Sequence, residues 1–291
     1  MVGPRGIAGG SGRRCRPIVF GKAGPWKAGM RRTAAAVPRP GLAPGGSGSG
    51  RIPPVPRFLV TAGNTREMID RVRDWGNVFT GNTGYSIAGA LAEVGDVHLL
   101  TSNRAHLDEV ARAGGRITAS PFTSHATLEA ALAGLMKSGA YDGVFMTAAV
   151  ADYAPAGVYQ VVERRRDGDG ETWRVRDVGA GKVKSTYDAM AVLGTPTRKL
   201  VDLFRSEWGY RGLLVKFKLE VGVSREHLVR IGQASRLASG ADYLVANTLD
   251  MVQGAGAGAF LLGEGTEEWV PRAELPRRLA LVAAARLPGS R

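Results

Sequence analysis

From about residue 57 the apolar and polar positions fall into blocks whose period alternates between that of a strand and that of a helix. A short apolar run, Arg57 to Thr61, ends in the turn residues Ala62-Gly63-Asn64-Thr65. From Gly84 to Val94 the spacing sets Ile87, Leu91 and Val94 on one helical face, with Gly95 placed as a C-cap residue. Asp96 to Thr101 is a second apolar run. Strand, glycine turn, helix and strand in this order make a βαβ unit, which demands a right-handed crossover onto a parallel sheet. Gly115 to Ala119 reads as a third strand, followed by a helix over Ser124 to Lys137 with Leu128, Ala131, Leu132, Leu135 and Met136 on a broad apolar face. Gly143 to Thr147 reads as a buried strand that runs into Ala148-Ala149-Val150-Ala151-Asp152-Tyr153.

Between Val158 and Val178 the period changes. Trp173 and Val175 flank Arg174, and Asp167-Gly168-Asp169-Gly170 is a turn signal, so this segment is expected to be an inserted β-hairpin. Its row Arg164-Arg165-Arg166 suits a solvated edge guarded against aggregation. The pattern then predicts a helix from about Pro196 to Trp208, a strand from Gly212 to Phe217 and a helix from Ser224 to Ser239 with Ser224 as N-cap. A strand over Asp242 to Ala246 follows. Gly258 to Leu262 and Glu267 to Val270 form a terminal hairpin, and Arg272 to Leu287 a last helix. The expected fold is α/β: a three-layer Rossmann-like domain with a mostly parallel sheet and an inserted β-hairpin, with no internal repeat.

Composition changes this picture at one end only. The formal charge of +13 invites a nucleic-acid partner, yet residues 1 to 57 hold eleven Lys and Arg and no acid, which leaves the other 234 residues at +2. Residues 1 to 56 combine Gly, Pro, Ser and Arg with few large apolar groups, a composition expected to stay disordered. They lack the apolar core of a secretion signal and are too rich in Gly and Pro for an amphipathic transit helix. A translation start at Met30 or later is one reading of this tail, and weak polyanion binding through charge is another. The domain is therefore set at 57–291, with no specific nucleic-acid partner expected. The only cysteine, Cys15, lies in the tail, so a disulfide or thiolate nucleophile is not expected in the folded part, and a reducing, cytoplasmic setting is. His98, His106, His125 and His227 are scattered without ligand spacing, and no apolar run approaches the length of a membrane span.

Candidate chemistry gathers around Asp70 to Gly84 (DRVRDWGNVFTGNTG). In an open α/β sheet, ligands sit beyond the carboxyl ends of strands, where the next helix presents unpaired N–H groups that favour an anion. Gly81 and Gly84 allow close backbone approach, Asn77 and Thr80 are polar without charge, and Arg73 offers a guanidinium fork. An ordinary strand-to-helix loop would also use such residues. Farther on, Gly179-Ala180-Gly181-Lys182-Val183-Lys184-Ser185 sets two lysines two residues apart among glycines, which suits a loop over a triphosphate and equally an incidental surface loop. The run Gly254 to Gly258 does not sit between a strand and its helix and reads as a connector.

Taken together, Thr61 to Glu67 (TAGNTRE), Asp70-Arg71-Val72-Arg73, Asn77, Gly81 and Gly84 resemble the opening motif of the phosphopantothenate–cysteine ligases (phosphopantothenoylcysteine synthetases) of coenzyme A biosynthesis. Ala148 to Tyr153, Lys182 to Ser185, Phe217-Lys218-Leu219-Glu220 and Val245-Ala246-Asn247 resemble the family's later motifs, in the same order. The resemblance implies an amide-forming ligase that uses CTP or ATP with Mg²⁺, releases pyrophosphate and passes through an acyl-nucleotide. It implies Asn77, Lys182 and Arg73 as catalytic residues. Gly63, Asn64, Thr65, Thr80, Gly81, Gly84, Ala149, Asp152, Lys184 and Phe217 are implied around nucleotide and substrate. The Phe-Lys-Leu-Glu form is more like the stand-alone, eukaryotic-type enzymes, FMN is not expected because no flavin-binding decarboxylase half is read ahead of this domain, and the family's dimeric state makes a homodimer the expected assembly.

The chain also departs from the family. Asn64 stands where a second glycine is usual, Phe79-Thr80 where a Ser-Ser pair is usual, and Asn82 where a basic residue is usual. A diverged nucleotide-binding module, or a ligase for another carboxylic acid, stays open on these grounds. A dinucleotide oxidoreductase is disfavoured, because no G-x-G-x-x-G follows the first strand.

Overall fold

The computed structural model describes residues 55–139, 141–179, 182–252, 254 and 256–287. The first apolar run is β1 (Arg57–Ala62), buried at every position but its first. The polar stretch after it carries a small antiparallel ladder, β2 (Arg66–Met68) against β3 (Asp74–Gly76), before α1 (Asn82–Leu91). Next come β4 (Asp96–Thr101), α2 (Arg104–Ala113), β5 (Ile117–Pro121), α3 (His125–Ser138) and β6 (Gly143–Met146). The inserted segment contains β7 (Tyr153–Asp167), β8 (Gly170–Asp177) and β9 (Met190–Pro196). The chain then returns through α4 (Leu200–Ser206), β10 (Leu213–Glu220), α5 (Arg225–Ala238) and β11 (Tyr243–Thr248). A short 3₁₀ turn, Leu249–Val252, precedes β12 (Gly258–Gly263), β13 (Thr266–Pro271) and α6 (Leu275–Ala285).

The main sheet has the order β13-β12-β11-β10-β6-β1-β4-β5. Six strands from β5 to β11 are parallel, and the hairpin β12–β13 closes one edge antiparallel. Counting only the parallel strands along the chain gives the order 3-2-1-4-5-6, the doubly wound arrangement, whose winding reverses between β1 and β6. Alternate residues of the strands feed two faces. Phe58, Val60, Phe145 and Val215 pack with Ile87 and Leu91 of α1 and Leu279 of α6. Leu59, Val144 and Leu214 pack on the other face with Leu128 and Leu132 of α3 and Phe204 of α4, and Leu228 of α5 continues that layer over Leu244 and Phe260. Three layers follow because β-strand side chains alternate, and each buried Leu or Phe contributes roughly 1.5–3 kcal/mol.

Several boundaries move for identifiable reasons. α1 begins at Asn82 and ends at Leu91, with Ala92 rather than Gly95 as C-cap. Gly95 is needed for space instead, since a Cβ there would fall on the Pro56 carbonyl oxygen and the Phe58 ring. The expected hairpin is a three-stranded sheet, because β7 starts at Tyr153 and its first half pairs with β9. Pro196 ends β9, so the following helix is shorter than expected and starts at Leu200. α2 was not legible as apolar periodicity, as it buries only His106 and Val110. α3 and α5 begin as read, with the hydroxyls of Ser124 and Ser224 accepting main-chain N–H groups of Thr127 and His227. The tail expectation, apart from Val55 and Pro56, and positions 180, 181, 253 and 255 lie outside the described residues.

Candidate active site

The carboxyl ends of β1 and β6 form the crevice at the reversal point, and the sequence puts small residues at both. Gly63 turns the chain at φ +91°, and Ala149 donates its N–H to the Gly63 carbonyl at 2.9 Å while accepting from the Thr65 N–H at 3.1 Å. Below this, Ala148 N–H donates to the Thr61 hydroxyl at 3.1 Å, and the Thr147 hydroxyl donates to the Thr61 carbonyl. The two strand ends are thus laced by main-chain and hydroxyl groups.

The loop carrying Asn77 folds over this crevice. The Asn64 amide donates to the Asn77 carbonyl at 2.6 Å, and the Asn77 amide donates to the Ala149 carbonyl at 3.3 Å. From the other side the Asn103 amide donates to the Thr80 carbonyl at 2.9 Å. Gly81 then turns at φ +83° as the N-cap of α1, and no side chain caps that helix. Its first N–H groups therefore remain available to an anion at the mouth of the crevice. Gly84, one turn in, serves packing: a Cβ there would meet the Thr147 hydroxyl and, at 2.9 Å, the Ala62 methyl.

At the first turn of α1, Asn82 contacts His106 from α2. His106 Nε2 lies 3.1 Å from the Asn82 side-chain oxygen, its Nδ1 3.4 Å from the Thr101 hydroxyl, and its ring stacks on Tyr85 at 4.5 Å. Burial pushes the His106 imidazole below its ordinary 6.5, and burial does the same to His98, whose ring nitrogens meet Ser120 at 2.7 Å and Tyr141 at 3.2 Å. A folded pKa below the unfolded one means that this stability is present above pH 6.5 and is lost as pH falls through the lowered values. Urea midpoints measured between pH 5 and 7.5 should rise with pH, and His106→Gln should flatten the slope. A midpoint falling with pH would contradict the burial argument.

The sequence-predicted residues separate into those that meet and those that do not. Gly63, Asn64, Asn77, Thr80, Gly81 and Ala149 converge on the crevice. Thr65 does not line it: the residue is buried, and its hydroxyl accepts the Ala151 N–H at 2.8 Å. The Asp152 carboxylate pairs with Lys199. Phe217 stands in β10 beside Val245 of β11, half-buried against the core. Arg73 donates to the Val183 carbonyl at 3.0 Å, which brings the segment of Lys182 and Lys184, both exposed, to the loop that leads to Asn77. Arg66 is occupied by Asp74 at 2.7 Å. Sequence reading placed Asp70 in the opening motif without a role, and missed Ser102, Asn103 and His106. Ser102 and Asn103 had one signal, turn residues just past the carboxyl end of β4, and Ser102 accepts the Asn64 N–H at 2.9 Å.

The fold and crevice define a doubly wound α/β protein with its crevice at the point where the winding reverses, which is where ligands sit in such sheets. Residues 55–171 match the family described as the DNA/pantothenate metabolism flavoprotein C-terminal domain. The chain is 33% identical over 201 residues to the coenzyme A biosynthesis bifunctional protein CoaBC of Bacillus subtilis, covering 69% of this chain and 42% of that protein. It is 29% identical over 226 residues to the CoaBC of Thermococcus kodakarensis, covering 77% and 49% respectively. The chain thus spans about half the length of these relatives. In fold it is similar to the DNA/pantothenate metabolism flavoprotein of Streptococcus pneumoniae, with a TM-score of 0.64 at 23% identity over 80% of this chain and all of that one. It is also similar to a Cab2 variant in complex with phosphopantothenate-cysteine, with a TM-score of 0.57 at 16% identity over 79% and 86% of the two chains. These matches bear out the resemblance carried by the motifs.

Proposed function

We propose that the chain is a phosphopantothenate–cysteine ligase of coenzyme A biosynthesis. A carboxylate oxygen of 4′-phosphopantothenate attacks the α-phosphorus of CTP or ATP, and pyrophosphate leaves. The cysteine amine then attacks the acyl carbon, the nucleoside monophosphate leaves, and the amine loses a proton. The observation that carries this reading is the convergence of three separated segments, Gly63-Asn64, Asn77 to Gly81 and Ala149, around the uncapped start of α1. Such transfer needs positioning and charge stabilisation rather than a covalent nucleophile. The relatives named for coenzyme A biosynthesis and the Cab2 structure with phosphopantothenate-cysteine supply the substrates in this proposal.

In it, the α1 N–H groups and Gly81 receive phosphate, the Asn77 amide donates to the acyl-phosphate, and Lys182 and Lys184 neutralise charge on the triphosphate. Gly63, Asn64 and Ala149 keep the crevice narrow. Magnesium is proposed as the counter-ion of the triphosphate. Among the described residues no three His, Cys, Asp or Glu gather to hold a metal ion, which suits an ion carried by phosphate oxygens and water, and no step is assigned to protein ligands of it. No flavin enters the reaction. The proposed assembly is a homodimer through the three-stranded sheet, which exposes Trp173, Val175 and Leu193. The proposed setting is cytoplasmic, and no helix among the described residues is long and apolar enough to cross a membrane.

Asn77→Asp tests this assignment. It keeps size but replaces a donor by an acceptor-only carboxylate facing a phosphate. Nucleotide should still bind, weakened, while amide product falls by roughly 10²-fold or more, the scale of one lost oriented donor. Turnover near that of the parent would remove Asn77 from the chemistry.

A further inference from the structure

We propose that Asp70 is a positioning residue for Lys182 and Lys184, acting through the main chain of Val183. Asp70 Oδ1 accepts the N–H groups of Val72 and Arg73, both at 2.8 Å, and Oδ2 accepts the Val183 N–H at 3.0 Å. The Val183 carbonyl is taken as well, by Arg73 at 3.0 Å, and the Arg73 guanidinium lies 3.9 Å from Asp70 Oδ2. Both polar main-chain groups of Val183 are therefore held by residues more than a hundred positions earlier. Val183 is 1% exposed, whereas the lysines on either side of it are exposed. Burying the middle residue and fixing its peptide groups sets the direction in which the two ammonium groups leave the chain.

The chemistry of the clamp requires a carboxylate. Three N–H donors converge on one side chain that has no exposed area, and an ionised Asp or Glu offers acceptors without a donor. The Val183 N–H, followed by that of Val72, holds the Asp70 carboxyl below the ordinary carboxylate range, so the clamp is charged throughout the neutral range. The turn closed by Asp70 runs directly into β3 and then Asn77, so Lys182 and Asn77, two of the three implied catalytic groups, share one support. Arg73 acts in the same clamp, with one nitrogen committed to Val183.

The kinetic consequence rests on the ligase reading; the structural link does not, and the experiment separates them. In the full-length parent, hydrogen exchange read by NMR should show the Val183 amide protected, and free-peptide exchange there overturns the inference with no variant needed. Asp70→Asn, checked for folding by its thermal transition, should speed tryptic cleavage after Lys182 and Lys184 by about tenfold or more. It should lower kcat for amide formation by roughly 10²-fold, the effect of misplacing a catalytic group by about 1 Å, with KM for nucleotide changed by less than about threefold. Asp70→Glu should recover part of that loss. If the parent makes amide and Asp70→Asn matches it in kcat and in cleavage, the inference is wrong. If the parent makes no amide but its Val183 amide is protected and Asp70→Asn loosens the segment, the positioning stands and the ligase reading fails.

Discussion

Lys182→Gln is expected to lower amide-forming turnover by roughly 10²–10³-fold, the scale for losing one preorganised electrostatic contact. Lys182 is exposed and makes no ion pair among the described residues, so its removal takes nothing from the core. Its neighbour Val183 holds the segment in place through Asp70 and Arg73, and those contacts survive the substitution. The variant should melt within about a degree of the parent, since surface substitutions away from special contacts stay within about 0.5 kcal/mol. The loss should fall on kcat, because the charge on the transferring group is greatest in the transition state. Single-turnover measurement of pyrophosphate release checks this directly. A fall in KM affinity with kcat unchanged would make Lys182 a ground-state binder only.

Gly81→Ala should be the most damaging single change in the crevice. At φ +83° an L-residue pays about 1–2 kcal/mol in the left-handed region. The new Cβ would also fall on the main-chain nitrogen of Gly63, with the Gly63 Cα 2.7 Å and the Ala62 carbonyl carbon 2.9 Å away. Neither backbone can retreat, since Gly63 is bonded to Ala149 and β1 is fixed on both sides by β4 and β6. A loss of about 2–4 kcal/mol in urea unfolding is expected, with nucleotide binding abolished in whatever remains folded. Gly89→Ala in the same helix is the control, because a Cβ there meets nothing within 4 Å. It should be neutral or stabilise by up to about 1 kcal/mol. Equal effects of the two substitutions would contradict the close approach of α1 to the Gly63 turn.

Much of this was legible because it is local. The bounds of β4 at Asp96 and Thr101, the Asp167–Gly170 turn and the Ser224 cap each depend on a few neighbouring residues. The glycines at 63, 81 and 84 announced a crevice, although their distinct tasks, turn, cap and packing, needed the partner atoms. What escaped was tertiary. β9 has weak strand character of its own and is a strand because β7 offers it an edge. Asp70 looks like an ordinary turn residue until Val183 arrives from 113 positions away. Thr65 reads as a ligand contact in a motif, yet it is fully buried and its hydroxyl accepts the Ala151 N–H.

Ligase activity is read by incubating the purified chain with 4′-phosphopantothenate, cysteine, magnesium and either CTP or ATP, and following amide product and pyrophosphate together. One pyrophosphate and one nucleoside monophosphate are expected per 4′-phosphopantothenoylcysteine formed with at least one of the two nucleotides. Pyrophosphate release is also expected to require the phosphorylated acid. Triphosphate binding without any pyrophosphate release or amide, under conditions where the fold is intact, would contradict the ligase reading.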